Sequence, residues 1–289
     1  MRKWGLALGG GGLLGLTHIG VLQAFEAMGL RPSIITGTSA GAVVAGLYAA
    51  GVDLAGLEDI TTKTLTQEDE PVDTLALSAG GRLTPMGLSG LIGGDFIEAA
   101  VDRIAHGANI KDAKLSVALM SVDITTGAIV VFTNTPPKSR SSTQALGMAG
   151  RLYVSDAKIS EAVRASISVP GIFKPKKFRS WSLVDGGIRD MVPVYEARRM
   201  GADEVVAVDL SLHIEKPQTT SNAVAILSRS FALASRESTE RSISEHASIT
   251  LQPDVFETGL PTPTKCRSLI AAGRQCAEKH MLRLSSMVR

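Results

Sequence analysis

The sequence is short of several things, and each shortage excludes something. Its 289 residues hold two cysteines, Cys266 and Cys276, which lie on one late helical stretch and match no zinc spacing. They read as reduced thiols of a cytoplasmic protein, engaged in ordinary packing. Aromatic residues make up 4% of the chain, which leaves little for base stacking. Thirty Lys and Arg against 28 Asp and Glu give a net charge of +2, too balanced to argue for nucleic acid. No cluster of metal ligands and no calcium loop is visible, so neither a metal nor another cofactor is expected. There is no internal repeat and no low-complexity segment. The uncharged run between Arg31 and Asp53 is long enough to cross a bilayer. It is rich in Gly, Ala, Ser and Thr and contains a turn, so a folded segment is expected there rather than a membrane span. Met1-Arg2-Lys3 followed by Trp4 to Leu16 has the outline of a signal peptide. Its apolar part holds Gly9, Gly10, Gly11 and Gly12, and no A-x-A site follows, so none is expected.

What the chain does have is a core. It is 44% hydrophobic and 20% charged, as for a globular protein, and its length suits one large domain or two small ones. The most informative stretch is Ser33 to Ala50, SIITGTSAGAVVAGLYAA. Ile34-Ile35-Thr36 reads as a strand, Gly37-Thr38-Ser39-Ala40-Gly41 as a turn, and Ala42 to Ala50 as a helix. Strand, G-x-S-x-G and helix in that order form a nucleophile elbow. The serine sits at a sharp, strained bend, and Gly37 and Gly41 let strand and helix pass closely. The bend lifts the Ser39 hydroxyl above the sheet and aims the helix N-terminus at whatever it attacks.

A second strand, glycine loop and helix open the chain. Lys3 to Leu8 reads as a buried strand, Gly9 to Gly12 with Gly15 as the loop, and Leu16 to Met28 as a helix. Gly10, Gly12 and Gly15 spell the dinucleotide fingerprint, but the next strand ends in Gly37-Thr38-Ser39 with no acid for a ribose. No Gly-Lys-Ser/Thr follows, so a P-loop is excluded too. Glycines at a strand-to-helix junction can instead present backbone N–H groups to an anion. If the two strands are parallel neighbours, both loops share one sheet edge. The N–H groups of Gly10, Gly11 and Gly12 can then serve the oxyanion formed when Ser39 attacks a carbonyl.

Beyond these, Asp53 to Ile104 reads as a mobile insert of short helices, a candidate lid. Leu115 to Val122 and Ala128 to Thr133 read as a hairpin. Pro136 to Gln144 reads as a polar loop and Ile159 to Ala165 as a short helix. Trp181 to Val184 is a strand delivering Asp185-Gly186-Gly187. Pro193 to Met200, Ala223 to His246 and Lys265 to Leu284 read as helices, Glu204 to Leu210 and Ser248 to Gln252 as strands. The alternation implies a layered α/β fold with a mainly parallel sheet.

A serine nucleophile needs a base. Of the five histidines, His18 reads as helix surface or packing, and His106 and His280 offer no distinctive setting. His213 or His246 could complete a Ser, acid, His order. Asp185 is the stronger candidate, because two glycines follow it at a strand end and a carboxylate can act directly if desolvation raises its pKa.

Four blocks then carry a resemblance. GGGGLLGLTHIGVL (Gly9 to Leu22), GTSAG (Gly37 to Gly41), RASISVPGIFKP (Arg164 to Pro175) and DGG (Asp185 to Gly187) resemble, in order and spacing, the patatin-like phospholipases, in particular a small bacterial member. The resemblance covers Leu6 to about Leu210. It implies a three-layer α/β/α sandwich and a Ser–Asp dyad without histidine. Ser39 would be the nucleophile, Asp185 the base, and Gly10, Gly11 and Gly12 the oxyanion loop, with Gly37, Ala40, Gly41, Gly15, Gly186 and Gly187 in support. One departure stands out: Leu14 occupies the place where the family often has Arg or Lys. The expectation is one patatin-like domain over residues 1–289, with an insert at about 53–104. The resemblance implies a cytoplasmic serine acyl hydrolase acting on a lipid or other acyl ester, with neither cofactor nor nucleic acid expected. Transient contact with a membrane surface follows from the substrate class. The alternatives are a weakly active scaffold on the same fold and a thioesterase or peptidase using the same dyad.

Overall fold

β1 (Trp4–Leu8) and β2 (Ile34–Thr38) are buried at every residue, as strands covered on both faces must be. The apolar sequence of β1 fits that position, and in β2 the buried Thr36 and Thr38 hydroxyls donate to backbone carbonyls. The computed structural model describes residues 3–58, 93–137, 150–211, 223–255 and 262–288. A short 3-10 turn over Gly12–Leu16 leads from β1 into helix α1 (Thr17–Ala27), and Ser39 leads from β2 into α2 (Ala40–Ala50). The remaining elements are α3 (Asp95–Ile104), β3 (Ser116–Asp123), β4 (Ile129–Thr133), β5 (Arg151–Val154), α4 (Ile159–Ser166), β6 (Lys176–Phe178), β7 (Trp181–Asp185), α5 (Val194–Arg199), β8 (Glu204–Val208), α6 (Ala223–His246), β9 (Ile249–Leu251), α7 (Pro263–Lys279) and α8 (Met281–Val288).

The sheet runs β5-β4-β3-β2-β1-β8-β9, with β7 on β3 and β6 on β7. From β3 to β9 all neighbours in that order are parallel, and β4 and β5 run the other way. One apolar cluster packs α1, α2, α4 and α7 on one face of the sheet. A second cluster places Val194 and Ala197 of α5 and Ile243 of α6 on the other face. The fold is therefore the expected α/β/α arrangement with a mainly parallel sheet.

β3 sets the geometry of the site. Its first half pairs with β2, with Thr38 opposite Met120. Its last three residues pair with β7 instead, antiparallel, with Asp185 opposite Ser121. The C-terminal ends of β2 and β7 therefore meet beside one strand. α1 and α7 cross through glycines. A Cβ on Gly20 would lie 1.8 Å from the Ile270 carbonyl oxygen and one on Gly273 1.9 Å from that of Thr17.

Several details differ from the sequence expectations. β5 and β6 were not foreseen. The closing helix is two, because α7 ends at Lys279 and the His280 ring donates from Nδ1 to the Cys276 carbonyl at 2.9 Å. Of the insert expected over 53–104, residues 59–92 lie outside the described residues. Its end is the amphipathic α3, which buries Val101 and joins the main apolar cluster. Most of the loop expected over Pro136 to Gln144 also lies outside them. Cys266 and Cys276 are free and buried. The uncharged run from Arg31 to Asp53 is β2 and α2, and no helix among the described residues is long and apolar enough to cross a membrane.

Candidate active site

Ser39 sits between β2 and α2 with φ 54° and ψ −123°, a backbone region that costs a non-glycine residue about 1–3 kcal/mol. The crossing that forces this bend is tight. A Cβ on Gly41 would lie 2.2 Å from the Leu8 carbonyl oxygen, and one on Gly37 2.4 Å from that of Gly41. Both glycines are required by space, as the G-x-S-x-G spacing implies. Ser39 itself is half-buried, so its hydroxyl is not sealed in the core.

Asp185 ends β7 and is 2% exposed. Its carboxylate accepts from the Gly187 N–H at 2.8 Å, and the Ser39 hydroxyl lies near enough to favour its ionised form. Burial pushes its pKa up to about 6, against the Gly187 N–H and the Ser39 hydroxyl, which favour the ionised form. Gly186 must lack a side chain, since a Cβ there would lie 2.5 Å from the Met120 carbonyl oxygen. Ser39 and Asp185 thus share one sheet edge, and the Asp185 carboxyl is neither fully protonated nor strongly acidic near neutrality.

The glycine loop reaches the same place. A Cβ on Gly10 would lie 3.3 Å from the Ser39 Cβ, and one on Gly15 2.5 Å from the Ala40 Cβ. The loop differs from expectation at one point. The Gly10 N–H is already donated to the Met191 carbonyl at 3.1 Å, so Gly10 supplies clearance rather than an oxyanion donor. The N–H groups of Gly11, Gly12 and Ala40 have no partner among the described residues. Gly12 takes φ 55°, in the left-handed region that favours glycine. Leu14, where the resemblance leads one to look for a cation, is 8% exposed and belongs to the core.

His18 was placed on the helix surface or in packing; it is fully buried. Its Nε2 donates to the Gly9 carbonyl at 2.8 Å and pins the start of the loop. Burial lowers its pKa to about 4, so it is a neutral imidazole. His246 ends α6 with its ring 5.4 Å from that of Tyr195. Among the described residues, no histidine is one of the groups acting on Asp185. His213 lies outside the described residues.

Two further segments hold these parts; the second lies within the Arg164 to Pro175 block that carries the resemblance, and the first has no sequence signal of its own. Residues Asp190 to Pro193 run beneath the sheet edge. The Asp190 carbonyl accepts from Thr38 Oγ1 at 2.7 Å, that of Met191 from Gly10, and that of Pro193 from Thr36 Oγ1 at 3.0 Å. Arg151 anchors this strap, with Nη2 2.8 Å from Asp190 and Nη1 3.4 Å from Glu196. On the other side, the end of α4 touches both Ser39 and Asp185. No group of three or more candidate metal ligands occurs among the described residues.

A family model described as patatin-like phospholipase matches residues 6–198. An uncharacterised NTE family protein of Mycobacterium tuberculosis is 30% identical over 71% of this chain and 48% of its own length. A lysophospholipase NTE1 of Lodderomyces elongisporus is 29% identical over 71% of this chain and 12% of its own. The chain thus spans about half or less of the length of these curated relatives. Among solved structures, VipD of Legionella pneumophila aligns over 96% of this chain and 66% of its own, with TM-score 0.49 and 13% identity.

Proposed function

The chain belongs to the patatin-like phospholipase family, and from that premise we propose that it is a serine acyl hydrolase. It cleaves lipid ester bonds with a Ser39–Asp185 dyad through an acyl-enzyme. The observation that carries this reading is the meeting of Ser39, at the end of β2, with the buried carboxylate of Asp185, at the end of β7, whose pKa is about 6 and on which the Ser39 hydroxyl acts. Such a group is ionised at neutral pH yet basic enough to take a proton.

In this mechanism Ser39 Oγ attacks the ester carbonyl while its proton passes to Asp185. The oxyanion is held by the N–H groups of Gly11 and Gly12 with that of Ala40, each donor contributing about 2.7–4 kcal/mol to the transition state. Collapse of the adduct expels the alcohol, which takes the proton from Asp185. Water then attacks the acyl-enzyme, giving its proton to Asp185, and the acid leaves as Ser39 regains its hydrogen. His18 and the strap keep the glycine loop where its donors meet the oxyanion. Lipid esters reside in aggregates, so the reading includes transient contact with a membrane surface; liposome flotation with no binding to any lipid mixture removes that part.

The test is Ser39→Ala in an assay of ester and lysophospholipid hydrolysis. Turnover should vanish while the circular dichroism spectrum is unchanged. Retained turnover in the purified variant would sink the assignment.

A further inference from the structure

The nucleophile and the base belong to elements far apart in sequence, and the dyad works only if their separation is fixed. Ser39 starts a helix, so its N–H has no partner within that helix. It donates instead to Ser166 Oγ at 2.9 Å, across 127 residues of chain. Ser166 is the last residue of α4 and is fully buried. Two residues on, the Ser168 carbonyl accepts from the Asp185 N–H at 3.0 Å. A three-residue span therefore holds the backbone of both members of the dyad.

That span is itself fixed. Ser168 Oγ donates to the Arg164 carbonyl at 2.8 Å and accepts from Arg164 Nη1 at 2.6 Å. Arg164 is 1% exposed, and its Nη2 donates to the carbonyls of Lys174, at 3.0 Å, and Gly93. The guanidinium thus joins α4, the segment entering β6 and the segment entering α3.

We infer that Ser166 is a positioning residue of the reaction, and that Ser166–Ser168, braced by Arg164, sets the Ser39–Asp185 geometry. The strained torsion at Ser39 gives Ser166 its importance. A backbone at φ 54° persists only where its surroundings over-determine it. The Ser166 hydroxyl is one of those constraints, and it acts on the residue whose hydroxyl must point at Asp185. Ser166 touches no substrate atom in this account; it acts through the Ser39 backbone.

This inference rests on the dyad reading, and the experiment separates the two. Ser166→Ala and the near-isosteric Ser166→Cys, whose sulfur is a weak acceptor, are compared with wild type, Ser39→Ala and Asp185→Asn. In Ser166→Ala, kcat should fall on the order of 10²-fold with KM unchanged, because misplacement near 1 Å costs about that much. Ser166→Cys should lose about tenfold, which keeps the test open if the alanine variant folds poorly. Titration with a fluorophosphonate should still count every site, only more slowly, whereas a purely structural role would lower the number of sites. In the Asp185→Asn background the added loss should shrink below about threefold, since residues acting as one unit are not additive. If both Ser166 variants stay within about threefold of wild type, or the losses multiply in full, the inference is overturned. If Ser39→Ala still reacts, the dyad reading falls and this inference with it. If Ser39→Ala is silent and Ser166 is indifferent, the inference alone falls.

Discussion

Arg164 and Arg151 both lie under the site, yet the first is surrounded by neutral oxygens and the second by carboxylates. Arg164 meets the Ser168 hydroxyl and the carbonyls of Gly93 and Lys174, and its Nε has no partner among the described residues. Burial pushes its pKa down, while the charges of Asp95 and Glu98 act to raise it. Arg151 faces Asp190 and Glu196, whose side chains are 5% and 0% exposed, and burial pushes both carboxyls up. The same residue type thus does two jobs. Arg151 neutralises charge that the fold has buried, so its loss should appear as lost stability. Arg164 ties three backbone segments together around Ser39 and Asp185, so its loss should appear first as lost geometry. The strap under Arg151 holds the glycine loop, and the α4 end under Arg164 holds serine and aspartate.

The largest effect that would sharpen this contrast is at Arg151. Arg151→Met leaves Asp190 buried without its counter-ion, while Glu196 keeps Arg199 at 2.5 Å. Urea unfolding should show a loss of about 3–5 kcal/mol, and adding Asp190→Asn should restore part of it. A loss no greater than that of Arg164 variants would break the comparison.

Asp185 gives the next effect, and its sign runs against activity. Its folded pKa of about 6 exceeds the ordinary 3.8, so the unfolded chain binds fewer protons between those values and stability falls as pH rises through them. Above pH 6 the ionised carboxylate should cost the fold about 3 kcal/mol, and below 3.8 nothing. Asp185→Asn should therefore raise the melting temperature at pH 7 or 8 and leave it unchanged in strong acid. A destabilised variant at pH 8 would contradict the assigned burial of the charge.

The smallest effect belongs to Arg164. Arg164→Lys keeps the charge but not the planar array of donors. It should cost about 1–3 kcal/mol as buried acceptors lose partners, yet slow fluorophosphonate reaction more than Arg151→Met does in the folded fraction. Equal rates in the two variants would erase the distinction between the two braces.

The parts that the sequence makes legible are those in which one short stretch carries its own geometry. G-x-S-x-G between Ile34 and Ala50 demands the elbow, and the register of β3 then brings Asp185 to the same edge. What local pattern does not carry is pairing over distance. The Ser39–Ser166 bond spans 127 residues and the Thr38–Asp190 bond 152, and neither leaves a periodicity to read. β5 is a four-residue edge strand beginning with an arginine that faces carboxylates rather than water, which hides the alternation of a strand. Gly10 illustrates the same limit. Its place in the loop is readable, but the Met191 carbonyl that takes its N–H arrives from 181 positions later. His18 is polar by composition and fully buried by packing, and only the nearby Gly9 carbonyl explains it.

The central claim is that Asp185, with no histidine, activates Ser39. Its most direct test is the pH dependence of fluorophosphonate labelling, with the modified residue identified by peptide mass mapping, in wild type and Asp185→Asn. The account predicts modification of Ser39 alone, at a rate that falls away below about pH 6 as Asp185 takes its proton, and near-silence in the asparagine variant. Labelling at another residue, or a wild-type rate and profile without Asp185, would contradict it.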